Sequence, residues 1–567
     1  MRRTRLGLLL SAAAVLSVSA CAGIAAPETQ TNRAAYADFL IARVANLRDD
    51  HRAAADRYFD ALAKSPARAE LLEGALHSAL ASGDAQRARQ AARMADARGE
   101  DIASARLVQA ADALNARRWG AAERLLSDLN GDGVEEIAAR MMRLWAQAGA
   151  GDGAAAAGDL ALLSAPRPFA GMFDYQRALL FDYAGRNDEA VATYAAARTS
   201  GVWAPPASVR EADLLARLGR GQNVRALYQG GNGRIRDPDL ARAVDSIEAG
   251  EAGAAQTLTP ARGAAIGLYT LAALLANDDE EARALPLFTL ALMLDPRLDA
   301  ARLLYADSQR SLGAADEAQR ALSDISLTSP YAETARATSA WILRQEDHED
   351  EAIAAARAGV EAGGGRLARV TLADLYRSTS RWAEADAEYT AIINSLDSPN
   401  AGDWQLFFSR ASAREQLDRW PEAEADLRRA LELSPEQPEA LNFLGYALVD
   451  RNLDLEGGLA LIQRAVAARP QAGHIIDSLG WAYYRMGDYE QALEHLDLAV
   501  ELEPADATLN DHLGDALWRL GRRTEARYQW SRALSLQPSD RERAAIERKL
   551  AEGLPADASD AAASAAR

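Results

Sequence analysis

The sequence predicts an all-α solenoid, a stack of helix–turn–helix repeats running through nearly the whole chain. Three observations predict it. The strong helix formers Ala, Leu, Arg and Glu dominate, and no alternating strand pattern runs longer than a few residues. Beyond about Thr31, apolar residues recur at helical spacing in runs of roughly 10–15 residues broken by Gly, Asp, Asn or Pro. Finally, Pro435, Pro470, Pro504 and Pro538 lie 35, 34 and 34 residues apart, and Gly445, Gly480 and Gly514 keep the same spacing. A unit of about 34 residues cannot bury its apolar face alone, so such units stack on one another.

The first element, residues 1–21, reads as a leader. Arg2, Arg3 and Arg5 precede an apolar stretch from Leu6 to Val18, which is too short for a permanent membrane-spanning helix. It ends in Val18-Ser19-Ala20-Cys21, and Cys21 is the 1 cysteine of the chain. An aliphatic-small-small-Cys end resembles the bacterial lipobox, in which the Cys thiol is acylated and becomes the mature N-terminus. Each buried methylene contributes roughly 0.8 kcal/mol, so two or three acyl chains anchor a protein stably. In the lipoproteins this resembles, an Asp after the Cys retains the protein at the inner membrane. Ala22 stands there, which implies the outer membrane, facing the periplasm. With Cys21 acylated, no thiol is left for a disulfide.

Residues 22–32 read as a linker. From 33 to 218 the repeats are degenerate: "HRAAADRYFDALAKSP" carries Ala54, Tyr58, Ala61, Leu62 and Pro66, and "RWGAAERLL" and "GRNDEAVATYAAA" are partial copies. The segment 219–260 interrupts the register with "QGGNGRIRDPD" and reads as a hinge-like break. The array resumes over 261–553, where "EARALPLFTLALMLDP" supplies Ala284, Phe288, Ala291, Leu292 and Pro296. The span from Arg33 to Gly553 has room for roughly 11–14 repeats. Residues 554–567 are small and polar and read as a disordered tail.

The C-terminal repeats carry the frame most clearly: "LNFLGYALVDR", "IIDSLGWAYYRMGDYEQALEHLDLAVELEP" and "LNDHLGDALWRLGRRTEARYQWSRALSLQP". Gly480, Gly514, Ala492 and Ala526 are small where two helices of one repeat touch; Leu496 and Trp530, four residues on from those alanines, are expected to fill the space between repeats. Gly487 and Gly521 end the first helices. This frame resembles the tetratricopeptide repeat. Together with the lipobox, "GLYTLAALLANDDEEARALPLFTLALMLDP" and the segments after it are similar to the tetratricopeptide lipoproteins that serve as outer-membrane adaptors for periplasmic carboxyl-terminal processing proteases. That resemblance implies a non-catalytic scaffold that brings such a protease to envelope substrates, cell-wall hydrolases among them. Related lipoproteins are structural parts of envelope export or assembly machines.

Composition narrows the partners. The net charge is -19, and residues 1–21 hold three arginines and no acid, so the remainder is more acidic still. Nucleic acid and anionic lipid surfaces need basic patches and are not expected partners. His51, His77, His348, His474, His495 and His512 show no metal-ligand spacing, and no phosphate-cradling loop follows a strand. The residues therefore point to no enzyme, metal or cofactor.

In a tetratricopeptide solenoid the first helices line the inner groove, and residues at i, i+4 and i+7 share that face. Three successive repeats place Asn442, Tyr446 and Val449; Asp477, Trp481 and Tyr484; and Asp511, Asp515 and Trp518 there. The aromatics serve groove or core equally well, whereas Asn442, Asp477 and Asp511 read as solvated or groove-lining. Such an aromatic and acidic groove suits an extended peptide with apolar anchors and positive charge. A grip on a terminal carboxylate, which needs Lys, Arg and Asn, is not expected at these positions.

Overall fold

The computed structural model describes residues 27–129, 133–161, 170–222, 224–229, 235–251 and 257–555. Leader, Cys21 and nearly all of the 554–567 tail lie outside the described residues. Every regular element among the described residues is helical. The chain packs as two compact units: Met1–Val224 with Asp237–Ile325, and Arg225–Arg236 with Ser326–Arg567. The 219–260 segment is thus divided. Only its central part belongs with the C-terminal repeats, and the main division falls at Ile325, not near residue 260.

The first unit begins with five hairpins: α1 (Pro27–Asn46) and α2 (His51–Lys64), α3 (Ala69–Ala81) and α4 (Ala85–Arg98), α5 (Ala103–Asn115) and α6 (Trp119–Leu126), α7 (Val134–Gln147) and α8 (Gly153–Ala161), α9 (Ala170–Tyr183) and α10 (Asn187–Arg198). Then come α11 (Pro205–Arg217), α12 (Val224–Tyr228), most of which belongs to the second unit, and α13 (Pro238–Glu248). The unit closes with the hairpin α14 (Pro260–Asn277) and α15 (Glu281–Leu294), then α16 (Asp299–Ser311) and α17 (Ala315–Ser323).

One backbone feature sets the period. A residue in the left-handed conformation turns the chain inside the hairpins: Asp49, Gly83, Arg117, Gly151, Gly185 and Gly219 all have positive φ and stand 34 residues apart. The same role passes to Asp279, Gly313, Asp347, Ser380, Asp418, Asn452, Gly487 and Gly521. An Asp often follows the turn and caps the next helix: Asp84 accepts from Arg87 N at 2.9 Å and Asp488 from Gln491 N at 3.1 Å. The degenerate N-terminal repeats therefore keep strict register although their side chains lost the frame.

The hairpin α14–α15 packs differently from its neighbours. Besides each other, its helices contact α3, α5, α7 and α9, the first helices of four hairpins. Thr289 Oγ1 donates to Leu80 O at 2.6 Å, and Asn115 Nδ2 donates to Met293 O at 2.8 Å. Gly263 through Ala272 are buried without interruption. A helix apolar on every side is one surrounded by protein. The inner face of the first unit is thus filled by its own chain.

The second unit is a regular array: α18 (Ala332–Gln345) and α19 (Glu349–Glu361), α20 (Arg366–Ser378) and α21 (Trp382–Asn394), α22 (Trp404–Gln416) and α23 (Trp420–Leu433), α24 (Pro438–Asp450) and α25 (Leu455–Ala468), α26 (Gly473–Met486) and α27 (Tyr489–Leu502), α28 (Ala507–Arg519) and α29 (Arg523–Ser535). A final single helix, α30 (Asp540–Glu552), packs on α29. A Cβ on Gly480 would lie 2.6 Å from Leu496 Cγ, and one on Gly514 2.4 Å from Trp530 Cδ1. Leu496 and Trp530 thus press on the glycine of their own repeat. They also join Leu513 and Ile546 in the core beyond it.

Candidate protein-binding groove

The residues singled out in the last repeats come together across adjacent first helices, largely by engaging one another. Asp477 is only 4% exposed because His512 of the next repeat covers it, with Nδ1 2.9 Å from Oδ2. Of its reading as solvated or groove-lining, this corrects the solvated alternative. Burial pulls the His512 pKa down, but Asp477, Asp515 and Asp511 together outweigh it and the net shift is upward. The His512 ring lies on Trp481 with centroids 4.1 Å apart, and Trp481 lies on Tyr484 at 4.8 Å. Trp481 Nε1 donates to Asp450 Oδ1 at 3.2 Å, and Tyr484 OH accepts from Arg519 Nε at 3.2 Å. Tyr446 is half-buried; burial and the carboxylates of Asp450 and Asp477 raise its phenol pKa. Asn442 is half-buried, and Val449 is core.

The last repeat is closed by α30. Lys549 Nζ reaches Asp511 at 2.8 Å and Asp515 at 2.7 Å. Asp515, 3% exposed, also accepts from Trp530 Nε1 at 2.9 Å. Burial lowers the Lys549 pKa, but the two carboxylates overcome that and raise it. Trp518 packs on Trp530 at 5.3 Å, with Arg523 and Arg527 over its ring. The expected acidic stripe is therefore neutralised at Asp477, Asp511 and Asp515 by groups from the same chain.

An open concavity lies earlier in the same unit. It encloses about 970 Å³. Helix α20 contributes Leu367, Val370, Asp374 and Arg377, and α22 contributes Trp404 and Phe408. These are groove positions by the same frame: Val370 and Phe408 stand three before the buried Ala373 and Ala411, as Asp477 stands three before Gly480. Leu367 is 41% exposed. Phe408 meets Trp404 edge-on at 5.8 Å and Phe443 at 5.9 Å. Tyr389 OH donates to Asp374 Oδ1 at 2.5 Å and accepts from Arg377 Nε at 3.3 Å. The early repeats thus offer apolar side chains on the inner face where the last ones offer paired ions. Sequence reasoning missed them because Ala replaces Gly in their frame.

Among the described residues no group of three or more His, Cys, Asp or Glu could hold a metal ion, and no helix is long and apolar enough to cross a membrane.

Two family models match within this unit. The family model described as "Tetratricopeptide repeat" matches residues 408–473, and the one described as "TPR repeat" matches 480–521. Residues 408–473 and 480–521 carry tetratricopeptide repeats. A curated relative, the TPR repeat-containing protein PA4667 of Pseudomonas aeruginosa, is 34% identical over 94 residues. The match spans 17% of this chain and 16% of the relative's length. Among solved structures, the Cut9–Hcn1 hetero-tetramer chain is 14% identical with a TM-score of 0.39, covering 94% of this chain and 97% of its own. A tetratricopeptide repeat protein from Parabacteroides merdae is 14% identical with a TM-score of 0.37, covering 45% of this chain and 97% of its own. Arrays of such repeats present extended concave surfaces that bind partners.

Proposed function

We propose that this chain is a scaffold, a lipoprotein adaptor of the bacterial envelope. Acyl chains on Cys21 tether it to the outer membrane, and its second unit captures partner polypeptides on the periplasmic side. The adaptor recruits a carboxyl-terminal processing protease and presents envelope proteins to it. The observation that carries the capture role is the open concavity of the second unit, which has Leu367, Val370 and Phe408 in its wall at groove positions of the repeat. The tether rests on Cys21, which stands alone at the end of an apolar leader. Tethering raises effective concentration without adding contacts.

Affinity capture of the native lipoprotein, followed by mass spectrometry, tests the reading. A copurifying serine protease supports it. Export-channel subunits in its place would make the chain a structural part of an envelope machine. In parallel, Cys21→Ala is expected to lose acyl labelling and leave the membrane fraction. Retention through detergent-free washes would remove the lipid anchor from the proposal.

A further inference from the structure

The concavity of the second unit has a wall that the repeats do not supply. The chain leaves the first unit at Val224, contributes Arg225–Arg236 to the second, and rejoins the first at Asp237. Ile235 and Arg236, at the end of that insertion, line the same concavity as α20 and α22. With Arg236 in place, the charged residues around it are Arg236, Arg366, Arg377 and Arg469 against Asp374 and Glu439. In a chain of net charge -19, this is a local excess of positive charge. Structural pairing uses most of it: Arg366 reaches Asp403 at 2.6 Å, Arg469 reaches Glu439 at 2.7 Å and Arg377 reaches Asp374 at 3.7 Å. Each guanidinium has five N–H donors, so such pairing leaves donors for a further carboxylate.

We infer that the concavity is the docking site for an extended acidic peptide. Its apolar side chains rest on Leu367, Val370 and Phe408, its carboxylates are held by the arginines, and Arg236 is a specificity residue brought in from outside the repeats. The inference rests on the capture role proposed for this unit and gives it a ligand chemistry. That chemistry is opposite to the one expected of the last repeats, where the groove positions are acidic. Charge complementarity selects the partner: the acidic surface elsewhere repels a carboxylate-bearing segment, and this wall attracts it. The apolar anchors supply the desolvated contact that makes such a site bind.

Detergent-solubilised full-length chain and two short fluorescent peptides test it, one alternating leucine with glutamate and the other leucine with lysine. The glutamate peptide is expected to bind saturably by fluorescence anisotropy, at least tenfold more tightly than the lysine peptide, and more weakly as salt rises. Arg236→Glu is expected to weaken the glutamate peptide at least tenfold and to narrow the gap between the two peptides. Arg236 is exposed, so this variant should keep the wild-type melting curve. Equal binding of both peptides, no binding of the glutamate peptide, or an unchanged affinity in Arg236→Glu overturns the inference. Leu367→Ala separates the two proposals. If it weakens both peptides while Arg236→Glu changes neither, groove capture stands and the acidic preference falls. If neither substitution moves either peptide, both proposals fall.

Discussion

Asp477 and His512, on the first helices of neighbouring repeats, face each other at 2.9 Å in the interior of the second unit. The ion pair links α26 to α28, and Trp481 covers the imidazole. Removing one partner of a buried pair strands the other, typically at a cost of about 3–5 kcal/mol. His512→Ala should therefore lower the melting temperature of the full chain by several degrees. Loss within the error of the measurement would show that the carboxylate finds water or another donor.

The same pair has a pH signature. The folded-state pKa of His512 lies above its ordinary 6.5, since Asp477, Asp515 and Asp511 together outweigh burial. A raised pKa means that the stabilisation is complete below the unfolded value and is lost as pH rises through the folded one. Wild-type stability should fall as pH climbs above about 6.5, and the gap to His512→Ala should narrow over the same interval. Melting curves from pH 6 to 9 check this; a gap that is constant with pH would mean that the pair is held by a neutral imidazole.

Lys549 is one of two lysines in the chain, with Lys64, and it closes the array. Its ammonium bridges Asp511 and Asp515, and Asp515 also anchors the indole of Trp530. Lys549→Met keeps the length of the stem and removes the charge, leaving two carboxylates facing each other in a half-buried site. Hydrogen exchange should then accelerate in α28 to α30, ahead of the rest of the unit. Unchanged protection there would mean that α30 is held by Ile546 and its neighbours alone.

The first unit offers a packing test. A Cβ on Gly263 would lie 2.2 Å from Trp145 Cζ2, so α14 passes directly over the indole. The ring cannot swing away freely, because its Nε1 donates to Gln176 Oε1 at 2.7 Å. Gly263→Ala should cost about 1–3 kcal/mol through overpacking, despite the better helix propensity of Ala. It should also shift Trp fluorescence. A stabilised variant would show that the α14–α15 hairpin sits loosely on the inner face.

Helices, period and fold class were legible in the sequence because the C-terminal repeats keep Gly480, Gly514, Gly487 and Gly521 where contact or turn needs them. Upstream Asp49, Arg117, Asp279, Asp347, Ser380 and Asp418 share the same turns with Gly83, Gly151, Gly185, Gly219 and Gly313, so a search for the glycine frame breaks off repeatedly although the backbone keeps the register. The groove face was legible by helical spacing alone. What occupies it was not, since the partners that neutralise the last repeats come from 35 residues away at His512 and 34 away at Lys549. Nor could spacing show that Ile235 and Arg236, from the segment read as a break, line the concavity of α20 and α22.

Those substituted turns give the last prediction. Asp418 has φ 57 between α22 and α23, and Asn452 has φ 54 between α24 and α25. Asp and Asn tolerate this region better than other side chains because their short polar groups bond locally, but glycine adopts it without steric cost. Asp418→Gly should be neutral or stabilising. Asp418→Val should destabilise by about 1–2 kcal/mol, since a β-branched side chain is the least tolerant of positive φ. Chemical denaturation of the full chain, read through the first transition, compares the variants with wild type. Equal midpoints for Gly and Val would show that the turn relaxes out of the left-handed region, and that the regular spacing of these residues does not constrain the repeat.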